Sequence, residues 1–332
     1  MTTKPFNLTR RGILAGAAAS LALPGIVRAD TAKIEKLGLW GPPAGPSITL
    51  SHAVGQDMFK DIATDATMNA WRTPDELRAG LTSGQMLLSV VPIQAAARLY
   101  NKGFPIRLAN VMTNGLLYIL TGDEGINAIA DLKGKHVVVP FRGDVPEIIF
   151  GQLLTHHGID AEADIKLTYA GTPIEAMQLL LAGRVDAALT AEPASTAGIT
   201  MAKQAGKALR RAINLQDAFG EMTAGSPAVP QAGLAVMQGF LDNHGAVLPA
   251  ILDVIAAATT EVLADPTAAN LSIATEQLGM PAPLLAGSIP HSNLVARPAA
   301  EARGDVERML TAMGAPDFAN LGGSLPDDGF YL

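Results

Sequence analysis

Apolar and polar positions along the chain follow one helix-then-strand pattern that occurs twice, at an offset of 99 residues. Thr73, Pro74, Glu76 and Gly84 correspond to Thr172, Pro173, Glu175 and Gly183. In each copy the threonine suits a helix N-cap, the proline suits the first turn, and the glutamate completes a capping box. Leu77 and Leu81, like Met177 and Leu181, recur at helical spacing and predict a buried face. The glycine fits the left-handed position that ends a helix. A short apolar run follows, at residues 86–91 and 185–189, and reads as a buried parallel strand.

The same order extends upstream. Residues 34–40 and 136–141 predict first strands, 47–59 and 146–157 helices, and 66–71 and 165–169 second strands. The pattern β-α-β-α-β therefore occurs twice, which predicts two α/β domains with mostly parallel sheets. Residues 106–120 form an extended run, and the polar segment 122–125 reads as a first crossover between domains. Proline-rich residues 226–230 read as a second crossover, followed by a strand at 233–237 and helices at 248–264 and 266–279. Two crossovers predict a hinge. Residues 30–120 and 226–332 would form a discontinuous first domain, with 121–225 inserted as the second, closing around a cleft.

The N-terminus changes the reading of the rest. Arg10-Arg11 precede a short Gly/Ala-rich apolar run, and Val27-Arg28-Ala29 supplies a small-residue cleavage site. This pattern predicts an export signal over residues 1–29, and the paired arginines favour twin-arginine over general export machinery. The whole chain of 332 residues carries a net charge of −7; without Lys4, Arg10, Arg11 and Arg28 the remainder has 20 basic and 31 acidic residues, a net −11. That balance argues against nucleic-acid binding, which needs clustered cations. The chain has no cysteine, which excludes disulfides, a cysteine nucleophile and a lipid anchor on cysteine. The expectation is a monomeric protein that is soluble and periplasmic after signal removal.

Segments 131–140 (DLKGKHVVVP) and 181–193 (LAGRVDAALTAEP), with YNKG at 100–103 and the terminal LPDD at 325–328, carry a resemblance. The chain resembles periplasmic substrate-binding proteins of ABC importers in the nitrate/sulfonate/taurine and thiamine-precursor (pyrimidine) group. The resemblance spans residues 34–331 and implies the type II periplasmic-binding fold. It also implies an ABC permease with a cytoplasmic ATPase as partner, a small polar, anionic ligand, and no cofactor.

Ligands in open parallel sheets sit beyond the C-terminal strand ends. Candidate residues there are Trp40, Gly41, Pro43, Gly45 and Ser47 in the first strand–helix loop, whose backbone N–H groups would hold an anion. The alternative is a proline-stiffened surface turn. In the facing loop, Arg142 with Gly143 would pair with an oxyanion, whereas Asp144 would touch ligand, cap the next helix or pair with Arg142. Pro92, Gln94 and Glu192 end the repeated third strands; Glu192 would meet an amine or satisfy loop amides. Asn114 is a hinge or ligand residue, and Trp40 a stacking or packing one. No metal site is expected, because the histidines are scattered.

The second class of function is an enzyme on the same fold, of the pyrimidine-precursor or menaquinone-pathway type. The former's cysteine motif is missing, and the latter are cytoplasmic.

Overall fold

A computed structural model of the chain describes residues 33–314 and 317–332. The expected export signal, residues 1–29, lies outside the described residues. The first section comprises β1 (Ile34–Gly41), α1 (Gly45–Gly55), β2 (Ala63–Ala70), α2 (Pro74–Ser83), β3 (Leu88–Pro92), α3 (Ile93–Asn101), β4 (Ile106–Leu108) and β5 (Asn110–Thr113). Then follow β6 (Leu117–Thr121), β7 (His136–Pro140), α4 (Val145–His156), β8 (Lys166–Ala170) and α5 (Pro173–Leu181). The same section continues with β9 (Ala187–Ala191), α6 (Ala194–Gln204), β10 (Arg210–Asn214) and α7 (Leu215–Thr223). The last section holds β11 (Ala232–Met237), α8 (Gln238–His244), α9 (Leu248–Ala264), α10 (Ser272–Leu278), α11 (Ala282–Ser288), β12 (Leu294–Pro298) and α12 (Ala299–Gly314).

These strands form two sheets. One runs β12-β5-β11-β3-β1-β2, with β4 paired to β11; the other runs β10-β6-β9-β7-β8. In each, a parallel trio (β2-β1-β3 and β8-β7-β9) is flanked by an antiparallel strand, β11 or β6. The repeat is therefore real at the level of strand order. The threonine caps are as the sequence predicts, whereas each glutamate takes the amide one residue before the cap in place of the cap's own. Thr73 and Thr172 each accept the amide of Glu76 or Glu175 at 3.1 Å, and those glutamates accept the Arg72 and Gly171 amides at 2.7 and 2.6 Å. Gly84 and Gly183 take φ of 75° and 67°, the left-handed conformation that costs glycine least.

One apolar cluster runs through both lobes, from Val91, Ile93 and Val111 of the first to Leu117, Val139 and Phe150 of the second, and each lobe adds a core of its own. Leu39, Ile48, Leu88 and Val90 pack with Ile251, Ile255 and Val262 of α9 in the first lobe, and Leu120, Val138, Ala176 and Ala188 pack in the second. The residues from 238 to 264 are long and apolar enough for a membrane span, but a short 3-10 turn at Gly245–Val247 breaks them. Helix α9 then buries one face, from Leu248 through Val262, in the first lobe.

The change of sheet falls at Asn114–Gly115–Leu116 and again between Ala224 and Gln231. Strand β6 therefore belongs to the second sheet, whereas the expected boundary at 120/121 leaves it in the first. The polar segment 122–125 lies beyond β6 and inside the second lobe, so it is not the crossover. Glycine and charge made it conspicuous, while the actual crossover is short and buried. The two connections hold each other: the Val229 amide donates to the Asn114 carbonyl at 2.8 Å, and the Leu116 amide to Gln231 Oε1 at 3.2 Å. On the far side, Arg308 of α12 donates to the Ser226 and Ala228 carbonyls.

Candidate functional site

Where the C-terminal strand ends of both sheets face each other, a cavity of about 320 Å³ opens between the lobes. Its walls are mainly apolar, and Trp71, Leu116, Leu117, Phe141, Ile174 and Met280 are the larger apolar residues that line it. Trp71 is fixed by its indole N–H, which donates at 3.2 Å to both Ser89 Oγ and the Val90 carbonyl. Phe141 follows β7 directly with φ of 56°, a left-handed conformation uncommon for a non-glycine residue. The charged lining residues are Arg72, Asp144 and Glu192.

Six helix starts converge here, those of α1 to α6. Every one carries a proline between the N-cap and the second helical position: Pro46, Pro74, Pro92, Pro146, Pro173 and Pro193. Proline has no amide to donate, so each start loses part of the donor set that normally holds an anion. At α2 and α5 the capping threonines consume a further amide.

Of the residues singled out in sequence, Pro43, Pro92, Asp144 and Glu192 line the cavity. The others do not, for definite reasons. Ser47 is fully buried and donates to the Pro42 carbonyl at 2.5 Å, which locks the first loop. Gly41 is there because a Cβ would meet Ser47 Oγ at 2.3 Å, and Gly45 because one would meet Ser292 at 2.7 Å. Both are close-packing glycines outside the cavity lining. Trp40 packs half-buried against the core, so the tryptophan of the cleft is Trp71. Gln94 is buried and donates to the Asn320 carbonyl at 2.8 Å.

Asn114 lies on the connection between the two sheets, outside the cavity lining, and its amide donates to the Asn293 carbonyl at 2.9 Å. Arg142 is exposed, with its guanidinium carbon 4.6 Å from the centre of the Tyr169 ring, and neither it nor Gly143 reaches the cavity. Gly143 instead donates its amide to Glu147. Arg142 and Asp144 therefore do not pair.

The two acidic residues of the cleft differ in state. Glu192 has a side chain 0% exposed and is paired with Arg211, whose Nε donates to it at 2.7 Å. Thr196 adds its hydroxyl at 2.7 Å and its amide at 3.2 Å. Glu192 thus satisfies a loop and helix start, the second of its two sequence readings. Asp144 is the N-cap residue of α4 but makes no side-chain capping bond; Pro146 removes one of the two amides a cap can use, and the Glu147 amide is not engaged by it. Burial pushes its carboxyl above the ordinary aspartate value, only partly offset by the Val145 amide and the more distant Arg98.

Sequence reasoning missed Trp71, Phe141, Met280 and Arg211. Trp71 stood one residue before the Arg72-Thr73-Pro74 helix start, a position equivalent to Ala170 in the repeat, and that equivalence was the available signal. Nothing local marks Arg211.

Two α/β lobes joined by two crossovers around a cleft define the periplasmic-binding-protein-like fold. The NMT1/THI5-like family model matches residues 59–269, more than half of the chain, and the protein belongs to that family. Solved structures agree on the fold. An ABC transporter protein of Parabacteroides distasonis aligns with a TM-score of 0.71 and 23% identity over 90% of this chain and 99% of that one. The periplasmic aliphatic sulphonate-binding protein of Escherichia coli aligns at 0.60 and 18%, covering 82% and 91% of the two chains. The alkanesulfonate-binding protein of Xanthomonas axonopodis pv. citri, bound to MOPS, aligns at 0.61 and 17%, covering 89% and 96%. No curated protein sequence matches the chain.

Proposed function

We propose that the protein is the solute-binding receptor of an ABC importer, which captures a small organic molecule by closing its two lobes. The observation that carries this reading is the interlobe cavity, walled by strand ends and helix starts from both sheets. A solute that contacts both walls binds more tightly when they approach, and that difference shifts the population to the closed form. Residues before Asn114 and after Gln231 move as one domain and those between as the other. The closed form then docks on a membrane permease driven by a cytoplasmic ATPase. Relatives of the same fold that are named as ABC-transporter and periplasmic binding proteins support this placement. The arginine pair and cleavage pattern of residues 1–29 support export, after which the protein acts as a periplasmic monomer.

The apolar walls favour a solute with a substantial hydrocarbon or aromatic body over a bare inorganic ion. An enzyme on this fold has weaker support. Arg211 neutralises Glu192, which leaves Arg72 and Asp144 as the charged cavity groups, without a nucleophile or acid–base pair for turnover. The test is a thermal-shift screen of sulfonates, carboxylates, amines and heteroaromatics on the exported chain. A ligand at a hundred times its Kd adds about 2.7 kcal/mol of stability. Hits should be recovered unchanged; conversion of a hit to a new product would contradict the receptor reading.

A further inference from the structure

Resting on the receptor reading, we infer that the cleft selects its solute by a hydrogen-bond-donating nitrogen, N–H or ammonium, presented to Asp144, and not by an oxyanion head. Asp144 is a half-buried acidic side chain on the cavity wall whose capping role is unfilled. An ionised carboxylate accepts hydrogen bonds only, so a ligand that completes it must donate. Desolvation already strains the charged form, and a donor or cation from the ligand relieves that strain.

The anion-binding devices of such a cleft are each weakened. Four of the six helix starts carry proline in the first turn and the other two at the N-cap, and Thr73 and Thr172 occupy amides at two of them. The negative charge that converging helix starts attract is the protein's own, on Asp144 and Glu192. The half-buried cation Arg211 is spent on Glu192 and Thr196. The lining cation is Arg72, exposed at the rim, whose guanidinium donates to the Gln277 carbonyl at 3.3 Å. An oxyanion placed beside Asp144 would meet a like charge in a partly desolvated wall. Trp71 and Phe141 meanwhile offer flat apolar surface for the body of the solute.

The test uses matched probes: benzylamine, tryptamine and 4-aminopyridine against benzenesulfonate and benzoate, titrated by calorimetry into the wild type, Asp144→Asn and Arg142→Ala. Asparagine keeps the volume and is itself a good N-cap, and circular dichroism checks the fold. At least one amine should bind at millimolar affinity or better and lose at least tenfold in Asp144→Asn, with no such loss in Arg142→Ala. The anions should bind the wild type more weakly than the amine, and no more weakly in Asp144→Asn. The inference is overturned if no amine binds, if amine affinity ignores Asp144, or if an anion of matched body binds the wild type as tightly. An anion that binds and closes the lobes would sink this inference and leave the receptor intact. An amine that binds through Asp144 but is consumed would do the reverse.

Discussion

Tyr118, in the second lobe, donates its hydroxyl to the carbonyl of His291 in the first lobe at 2.8 Å. The His291 ring meets the Tyr118 ring edge-on at 6.4 Å, and Arg211 lies 5.6 Å over that same ring. Burial pushes the Tyr118 hydroxyl up to about 12, and burial with the Arg211 charge holds His291 below the ordinary imidazole value. Both stay neutral at neutral pH. Tyr118→Phe should therefore cost about 1 kcal/mol, the net value of a typical buried hydrogen bond, read as a lower urea midpoint. An unchanged midpoint would mean that the bond contributes nothing to holding the lobes.

The Glu192–Arg211 pair should behave as structure and not as ligand recognition. Arg211→Met leaves a buried carboxylate without its cation, which typically costs about 3–5 kcal/mol. Glu192→Gln/Arg211→Met together should recover much of that loss. Thermal unfolding of the single and double variants checks both. Additive losses would show that the two side chains are not coupled.

Asp144 makes a pH-dependent prediction whose sign can be worked out. Its folded pKa is raised by burial, so the native state holds its proton more tightly than the unfolded chain does. Its contribution to stability is full below the unfolded pKa and is lost as pH rises through the folded value. Asp144→Asn should accordingly raise Tm of the ligand-free protein at neutral pH. The gain should vanish on acidification below the ordinary aspartate range. A gain independent of pH would have to come from packing.

Gly115 sets the first crossover. Its φ of 114° suits glycine alone, and a Cβ there would lie 2.4 Å from the Gln216 side chain. That side chain cannot yield cheaply, since it pairs with both the amide and the carbonyl of Leu117, at 3.0 and 3.1 Å. Gly115→Ala should destabilise by about 1–3 kcal/mol and weaken solute binding, because the hinge geometry shifts with it. Gly143→Ala also meets a positive φ, at 80°, but in open space outside the cavity, and serves as the comparison.

What could be read in the sequence was local. The Thr73/Glu76 and Thr172/Glu175 caps are three-residue chemistry, and they located both helices, the strands after them and the duplicated architecture. The site was legible only as a place. Strand-end loops pointed to Pro43, Pro92, Asp144 and Glu192, which line the cavity, but partners across the fold were invisible. Arg142, two residues from Asp144, looked like the cleft cation, yet its backbone position turns it onto Tyr169. The cation that does meet Glu192 is Arg211 of strand β10, two places from β9 in the sheet, and only sheet order brings them together. The crossover was misread for a similar reason: a buried link held by Asn293 and Val229 carries no polar signature of its own.

The central claim, capture by closure of two lobes, is tested most directly by a distance across the cleft. The chain has no native cysteine, so Arg78→Cys on α2 and Gln178→Cys on α5 give one exposed label site on each of the two equivalent helices. Double electron–electron resonance, with and without the tightest hit of the thermal-shift screen at saturation, reads the separation. The account predicts a shorter and narrower distance distribution with ligand. An identical distribution at full occupancy would contradict it.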